Sequence, residues 1–247
     1  GGRKNVYAVT FSTNGKRLVS GAFEEVRVWE VEGCKRRATL ETGGPVNCLA
    51  VSADGRWTAA GTEGGDVIVW DVETPCEQVL SREGHHRPVS AVDFSPDSTR
   101  LVTASSNSAS VWDIATSKRV LLLSQNKALI AAKYSPRGDR IATATWKSVQ
   151  QLNPSTGSAV LEWPAPDSNG FSRIALPKHG KFIAYSAKHT VTLWDTSTHT
   201  QFSRIQHPGL IRSISVSPND QFLAIGGEDG KIIIKSLSGI NVSTMYH

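Results

Sequence analysis

One unit of about forty residues recurs six times along the 247-residue chain, and that recurrence constrains the fold more than any single motif in it. Each unit opens on an apolar stretch that runs into a turn. The six openings read VYAVTFSTNG, VNCLAVSADG, VSAVDFSPDS, LIAAKYSPRG, FSRIALPKHG and IRSISVSPND. Further on, each unit carries a short apolar segment: VRVWE, VIVWD, SVWD, VQQLN, VTLWD or IIIKS. The position of the tryptophan in that segment is held by Trp29, Trp70, Trp112, Leu152, Trp194 and Lys235, in steps of 41, 42, 40, 42 and 41 residues. Chance does not hold so even a spacing across a whole chain. The units are stacked supersecondary elements of one kind.

Alternation and punctuation say which kind. In VSAVDFSPD, Val89, Val92 and Phe94 are apolar, and the following Ser-Pro-Asp sets a turn, because proline fixes φ and the aspartate bonds nearby amides. Second strands are expected at 17–20 and 222–225, third strands at 26–29 and 191–194, and weaker fourth strands at 37–40, 119–123 and 201–205. No segment sustains a helical period. A four-strand unit of this length is the size of a propeller blade. The expected fold is therefore all-β: a propeller of four-stranded antiparallel blades, six of them in this chain. It forms one domain over 1–247, with repeats at about 1–42, 43–84, 85–124, 125–166, 167–207 and 208–247. Residues 241–246 would supply the sixth fourth strand. The reading favours six blades closing on themselves over six blades of a seven-bladed or longer array.

Several dipeptides fall in register on this frame: Gly84-His85 at a repeat start, Asp229-Gly230 at a tip, and Trp70-Asp71, Trp112-Asp113 and Trp194-Asp195 at third-strand ends. Together they resemble the WD-repeat family over essentially the whole chain. The resemblance implies structural roles for Trp29, Trp70, His85, Trp112, Trp194, His207 and Asp229. It also implies a hydrogen-bonded network of His, tip Asp, second-strand Ser or Thr, and Trp in each blade. No repeat here keeps all four. The third has His85, Thr103 and Trp112 with Asn107 near its tip, and the sixth has His207 and Asp229 with Ile225 and Lys235 in the other places. Apolar packing between blades is expected to carry the stability instead.

Hydrophobic residues at 39% and charged residues at 20% suit a folded globular chain. No apolar run is long enough to span a bilayer and the N-terminus lacks a signal-peptide core, so a cytoplasmic or nuclear protein is expected. Cys34, Cys48 and Cys76 are odd in number and widely spaced, which fits reduced thiols, with Cys48 in a core strand pattern. The net charge of +5 and pI near 9.2 come from scattered basic residues. His85-His86 could pair on a metal, but His85 falls on the repeat position and no further ligand is suitably spaced. Nucleophile-elbow and phosphate-loop motifs are missing, and Gly64-Gly65 reads as a tip turn. Lys35-Arg36-Arg37 reads as a soluble edge, and Arg36-Arg37-Ala38 fails the phosphoinositide motif of some propellers of this family. Glu24-Glu25 reads as a solvated tip, and Asn241-Val242-Ser243 as an incidental glycosylation triplet. No cofactor, metal or catalytic residue is expected.

What remains is binding. The resemblance implies a composite surface built from the starts of the first strands and from the tips between second and third strands. The first set holds Tyr7, Asn47, Ser90, Ile130, Ser172 and Arg212; the second holds Phe23, Glu24, Glu63, Asn107, Trp146, Lys147, Lys188, His189 and Glu228. From these, Tyr7, Asn47, Ser90, Trp146, Lys147, Lys188, Arg212 and Glu228 are the candidate partner-binding residues, with Tyr7, Trp146 and Arg212 as anchors. The expected function is a non-catalytic scaffold that binds a protein or peptide, within a larger protein or complex and away from membranes. Two rivals stand beside it: an enzyme with a central-channel site, and a nucleic-acid-binding module using the basic excess.

Overall fold

The computed structural model describes residues 5–74, 78–80, 84–106, 108–124, 128–164 and 172–238. Six antiparallel sheets follow one another along the chain, each built in sequence order from the inside outward. The first blade holds β1 (Ala8–Phe11), β2 (Arg17–Gly21), β3 (Glu25–Glu30) and β4 (Lys35–Glu41). The second holds β5 (Val46–Val51), β6 (Trp57–Thr62), β7 (Val67–Asp71) and β8 (Gln78–Leu80). The third holds β9 (Val89–Phe94), β10 (Arg100–Ser105), β11 (Ser108–Asp113) and β12 (Lys118–Ser124). The fourth holds β13 (Leu129–Tyr134), β14 (Ile141–Thr145), β15 (Ser148–Leu152) and β16 (Ala159–Pro164). The fifth holds β17 (Ser172–Ala175), β18 (Phe182–Ala187), β19 (Thr190–Asp195) and β20 (Gln201–Gln206). The sixth holds β21 (Ile211–Val216), β22 (Phe222–Gly227) and β23 (Ile232–Ser236), and its expected fourth strand at 241–246 lies outside the described residues, as do Cys76 and Asn107. Helical structure among the described residues is confined to a 3-10 turn, Glu32–Cys34. The six-bladed all-β architecture is the one expected.

Third strands such as VIVWD are buried on both faces because an inner blade is sandwiched between two others. First and second strands meet through a turn whose chemistry the Ser-Pro-Asp pattern announced. The Ser95 hydroxyl donates to Asp97 at 2.5 Å and accepts from the Arg100 amide at 2.9 Å, while Asp97 accepts from the Thr99 amide at 3.1 Å. Ser52 with Asp54 and Ser12 with Asn14 repeat the arrangement. At the other end of the blades, registers such as Val46↔Thr62 and Leu129↔Thr145 put first-strand starts beside the tips.

The apolar core is divided into five clusters, one at each junction between consecutive blades. Val26, Val28 and Leu40 meet Val46, Ile68 and Trp70 between the first two blades. Val67 and Val69 meet Val89, Val92 and Phe94 between the next two. The remaining clusters join the third blade to the fourth, the fourth to the fifth and the fifth to the sixth. At roughly 1.5–3 kcal/mol for each fully buried Val, Leu or Ile, these junctions dominate what holds neighbours together. Among the described residues no cluster joins the sixth blade to the first. Closure by six blades, the favoured expectation, is therefore not observed: the outer flanks of both terminal blades stay exposed.

Candidate partner-binding rim

At the tip end, the first strands do not run straight into the sheet. In the second, third, fourth and sixth blades the register slips between the first apolar residue and the residue two further on. The extra residues are Asn47, Ser90, Ile130 and Arg212, so the positions singled out from sequence sit on β-bulges. A bulge turns a strand locally and re-aims the side chain it carries. The sequence signal was the Val-x-x-Val spacing, where strict alternation would give Val-x-Val.

Backbone hydrogen bonds join each tip to the strand that enters the next blade. Val46 N–H donates to Ala22 C=O at 3.2 Å, His85 N–H to Gly65 C=O at 2.9 Å, and Ile211 N–H to Lys188 C=O at 2.7 Å. Gly65, at φ +95°, lies so near the His85 carbonyl that no side chain fits there. The result is a rim whose loops are set by the blades beneath them.

The predicted residues take different parts in it. Tyr7 and Asn47 are exposed. Ser90 is turned to structural use, its hydroxyl 3.1 Å from Ala104 C=O and 2.9 Å from Leu129 C=O across a blade junction. Trp146 and Lys147 are exposed at the fourth tip, which Thr145 shapes by accepting from the Lys147 and Ser148 amides. The Tyr185 hydroxyl, from the fifth blade, donates to Thr145 C=O at 3.2 Å and fixes that tip to its neighbour. Lys188 is exposed in the left-handed region at φ +50°. Arg212 pairs with Glu228 at 2.9 Å. Arg173, not among the residues expected from the sequence, lies close enough that burial and the Arg212 charge lower its pKa. The rim is polarised: Glu24, Glu25, Glu63 and Asp66 on the first two tips, Lys147, Lys188 and His189 on the fourth and fifth.

The structural positions divide in the same way. In the third blade, His85 Nε2 lies 2.8 Å from Thr103 Oγ1, which accepts from Trp112 Nε1 at 3.0 Å. The network's fourth member is Ser108, 3.0 Å from His85 Nδ1, in the role the family gives to aspartate. The first blade keeps only Trp29 Nε1 donating to Ser20 at 3.0 Å. In the sixth, His207 is buried and its Nε2 has no partner, because Ile225 stands where the third blade has Thr103. Asp229 accepts from the Lys231 amide at 3.2 Å. Trp70 is buried in the junction of the first two blades, and Trp194 packs on Trp163 of the fourth blade with ring centroids 6.2 Å apart.

Chemistry of other kinds finds little footing among the described residues. Burial pushes the Cys48 thiol up to about 12, the opposite of activation. No three metal-ligating side chains converge among the described residues. One His–carboxylate pair occurs, His179 with Asp220 at 2.6 Å, but Asp220 also accepts the Lys178 and His179 amides and belongs to the turn end. No described helix is long and apolar enough to cross a membrane.

Six sheets stacked through their faces, with Trp at third-strand ends and a His-Thr-Trp relay in the third blade, define a β-propeller of WD-type repeats. The family model for the WD domain, G-beta repeat, matches residues 34–71, 76–113 and 199–234, so the chain carries repeats of the WD type. It is similar to pre-rRNA-processing protein crb3/ipi3 of Schizosaccharomyces pombe, with 25% identity over 193 residues that cover 78% of this chain and 38% of that protein. It is 34% identical over 113 residues to small ribosomal subunit protein RACK1y of Oryza sativa subsp. japonica, covering 44% and 33%. To protein groucho of Drosophila melanogaster it is 22% identical over 237 residues, covering 93% and 32%. The matched regions thus span 32–38% of the length of these relatives. Among solved structures, a chain in the crystal structure of a mitotic checkpoint complex superposes with a TM-score of 0.84 at 20% identity, over 95% of this chain and 75% of that one. That likeness is one of fold. Propellers of this family typically serve as protein-interaction scaffolds.

Proposed function

We propose that the chain is a non-catalytic scaffold whose rim binds a protein or peptide partner, with its contact centred on the fourth to sixth blades. The observation that carries this reading is the fourth tip. Trp146 is exposed there beside Lys147, on a loop held by Thr145 and pinned to the next blade by Tyr185. An aromatic held at the surface by a rigid loop is a low-entropy anchor for binding. Lys188, Arg173 and Arg212 add positive charge nearby along the rim, which suits a partner with an acidic segment and steers its approach. Tyr7 and Asn47 extend the surface to the first two blades, Glu228 orients Arg212, and Ser90 ties two blades together.

The titratable groups at the rim do not favour an enzyme, since the His–carboxylate pair lies at the opposite end. The mixture of acidic and basic tips does not favour nucleic acid, which would call for a continuous basic face. Replacing Tyr7, Trp146 and Arg212 together by alanine should leave the circular dichroism unchanged and remove the proteins that the parent chain retains in affinity capture with mass spectrometry. Retention of the same proteins by the triple variant would refute the placement of the site.

A further inference from the structure

At the end of the blades away from the rim, the first blade reaches across to the second through the residue that opens its second strand. Arg17 pairs there with Glu73 at 2.6 Å and donates to Gly55 C=O at 3.0 Å, in the turn that also holds Asp54. Arg100 has the same position in the third blade. Each arginine amide donates at 2.9 Å to the hydroxyl of its turn serine, Ser12 or Ser95. The fourth blade, however, presents other residues to Arg100. Gly138 repeats Gly55, at φ +73° against +75°, but Arg137 precedes it where Asp54 precedes Gly55. Ser155 stands in the place of Glu73: its amide donates to Asn153 at 2.8 Å, as the Glu73 amide donates to Asp71 at 2.9 Å. Two acidic residues of the second blade are thus lost from the fourth, and one has become a second cation.

Between the third and fourth blades lies a cleft of about 450 Å³, lined by Pro96, Asp97 and Arg100 on one side and Tyr134, Arg137 and Pro154 on the other. Among the described residues, neither guanidinium has a carboxylate in ion-pair contact or a hydrogen-bond acceptor. Asp97 is engaged by its own turn, one oxygen accepting from the Ser95 hydroxyl and from the Thr99 amide and hydroxyl. Tyr134 is 6% exposed, and its hydroxyl finds no hydrogen-bond partner among the described residues. The other blades carry Phe11, Val51, Phe94, Leu176 and Val216 at this position, so packing there needs no hydroxyl. Burial pushes the phenol above its ordinary value and keeps it a proton donor. Three residues that line one space thus carry donors without acceptors.

We propose that this cleft binds a small organic phosphate, whose phosphoryl oxygens accept from Arg100, Arg137 and the Tyr134 hydroxyl. Two guanidinium forks suit a tetrahedral dianion, which accepts from both at once, whereas a single carboxylate leaves one of them unmatched. The volume falls near the lower end of the range of about 300–1,000 Å³ for small-molecule sites, and Pro96 and Pro154 give it stiff walls. The site lies at the opposite end of the blades from Trp146, so its ligand leaves the rim free. It bridges the third and fourth blades as the Arg17–Glu73 pair bridges the first and second, and its occupant takes the part of that ion pair.

Inorganic phosphate and glycerol phosphate are the probes, titrated into the whole chain by calorimetry at low salt. Glycerol phosphate should bind once per chain and more tightly than inorganic phosphate. Arg100→Gln and Arg137→Gln should each weaken it by about tenfold or more. Arg36→Ala, in the exposed basic run of β4, should change nothing. Ser155→Glu restores the carboxylate that the second blade has as Glu73; it should pair with Arg100, hold or raise Tm, and abolish binding. Tyr134→Phe should fold with an unchanged or higher Tm and weaken binding several-fold. The lack of saturable binding, or binding that survives Ser155→Glu, would overturn the proposal. A loss with Arg36→Ala equal to that with Arg100→Gln would reduce the effect to bulk charge and overturn it too. A phosphoserine peptide or phosphatidic acid vesicles bound more tightly than glycerol phosphate would overturn it in favour of a phosphorylated protein or a membrane.

Discussion

His85 shows how much one side chain can report about this fold. Its ring is held between Thr103 and Ser108, and its pKa is pushed down to about 4, mainly by burial and further by the Arg119 and His86 charges. In the unfolded chain the ring titrates near the ordinary value of about 6.5. As pH falls, the unfolded state takes up the proton first, so stability from this site is complete above about pH 6.5 and drains away toward pH 4. Urea midpoints between pH 7.5 and 4.5 should therefore fall, and His85→Asn should flatten that part of the dependence. An unchanged slope in the variant would show that His85 is not the group responsible. His85, Thr103 and Trp112 were legible from spacing alone. Ser108 was not, because the repeat pattern marks an acidic tip residue for this role, whereas a hydroxyl one turn away supplies the same hydrogen bond from the next strand.

Between elements, the deciding quantity is the fit of one blade face to the next, and small residues set it. Gly61→Ala would drive a methyl to 2.5 Å from Val89 Cγ1 and 2.7 Å from Cys48 Sγ, with overpacking expected to cost about 1–3 kcal/mol. Gly226→Ala meets nothing closer than 4.0 Å, and the loss of unfolded-state freedom should make it neutral or stabilising by up to about 1 kcal/mol. Denaturant unfolding of both variants checks the pair, and equal costs would contradict the open space beside Gly226. The strand count, the turn chemistry and the period were all readable, because alternation and Ser-x-Asp turns are local. The bulges at Asn47, Ser90 and Arg212 were present as an unexplained slip in that alternation. Closure was not readable at all. A period counts blades, but the angle between blades comes from side-chain packing across each junction, and that sums to a ring only in three dimensions.

At the scale of the whole molecule, the described residues form six blades joined by five buried junctions, with no cluster joining the sixth blade to the first. Stability in such an array is close to a sum of blade terms and nearest-neighbour interfaces. The inner four blades each have two buried faces, while the first and sixth have one, with Val9, Phe11, Ile232 and Ile234 left in solvent. The missing interface is large compared with the cost of opening one blade, so opening should begin at the ends. Native-state hydrogen exchange should accordingly rank the amides. Those of β9, β10, β13 and β14 should be slowest, and those of β1, β2, β22 and β23 should exchange earlier by local opening. A ring has no ends, so equal protection in all six blades would mean that the chain closes in solution. The gradient also bears on the rim. Trp146 and Lys147 sit on an inner blade whose neighbours hold it on both sides, whereas Tyr7 and Arg212 sit on the two that fray.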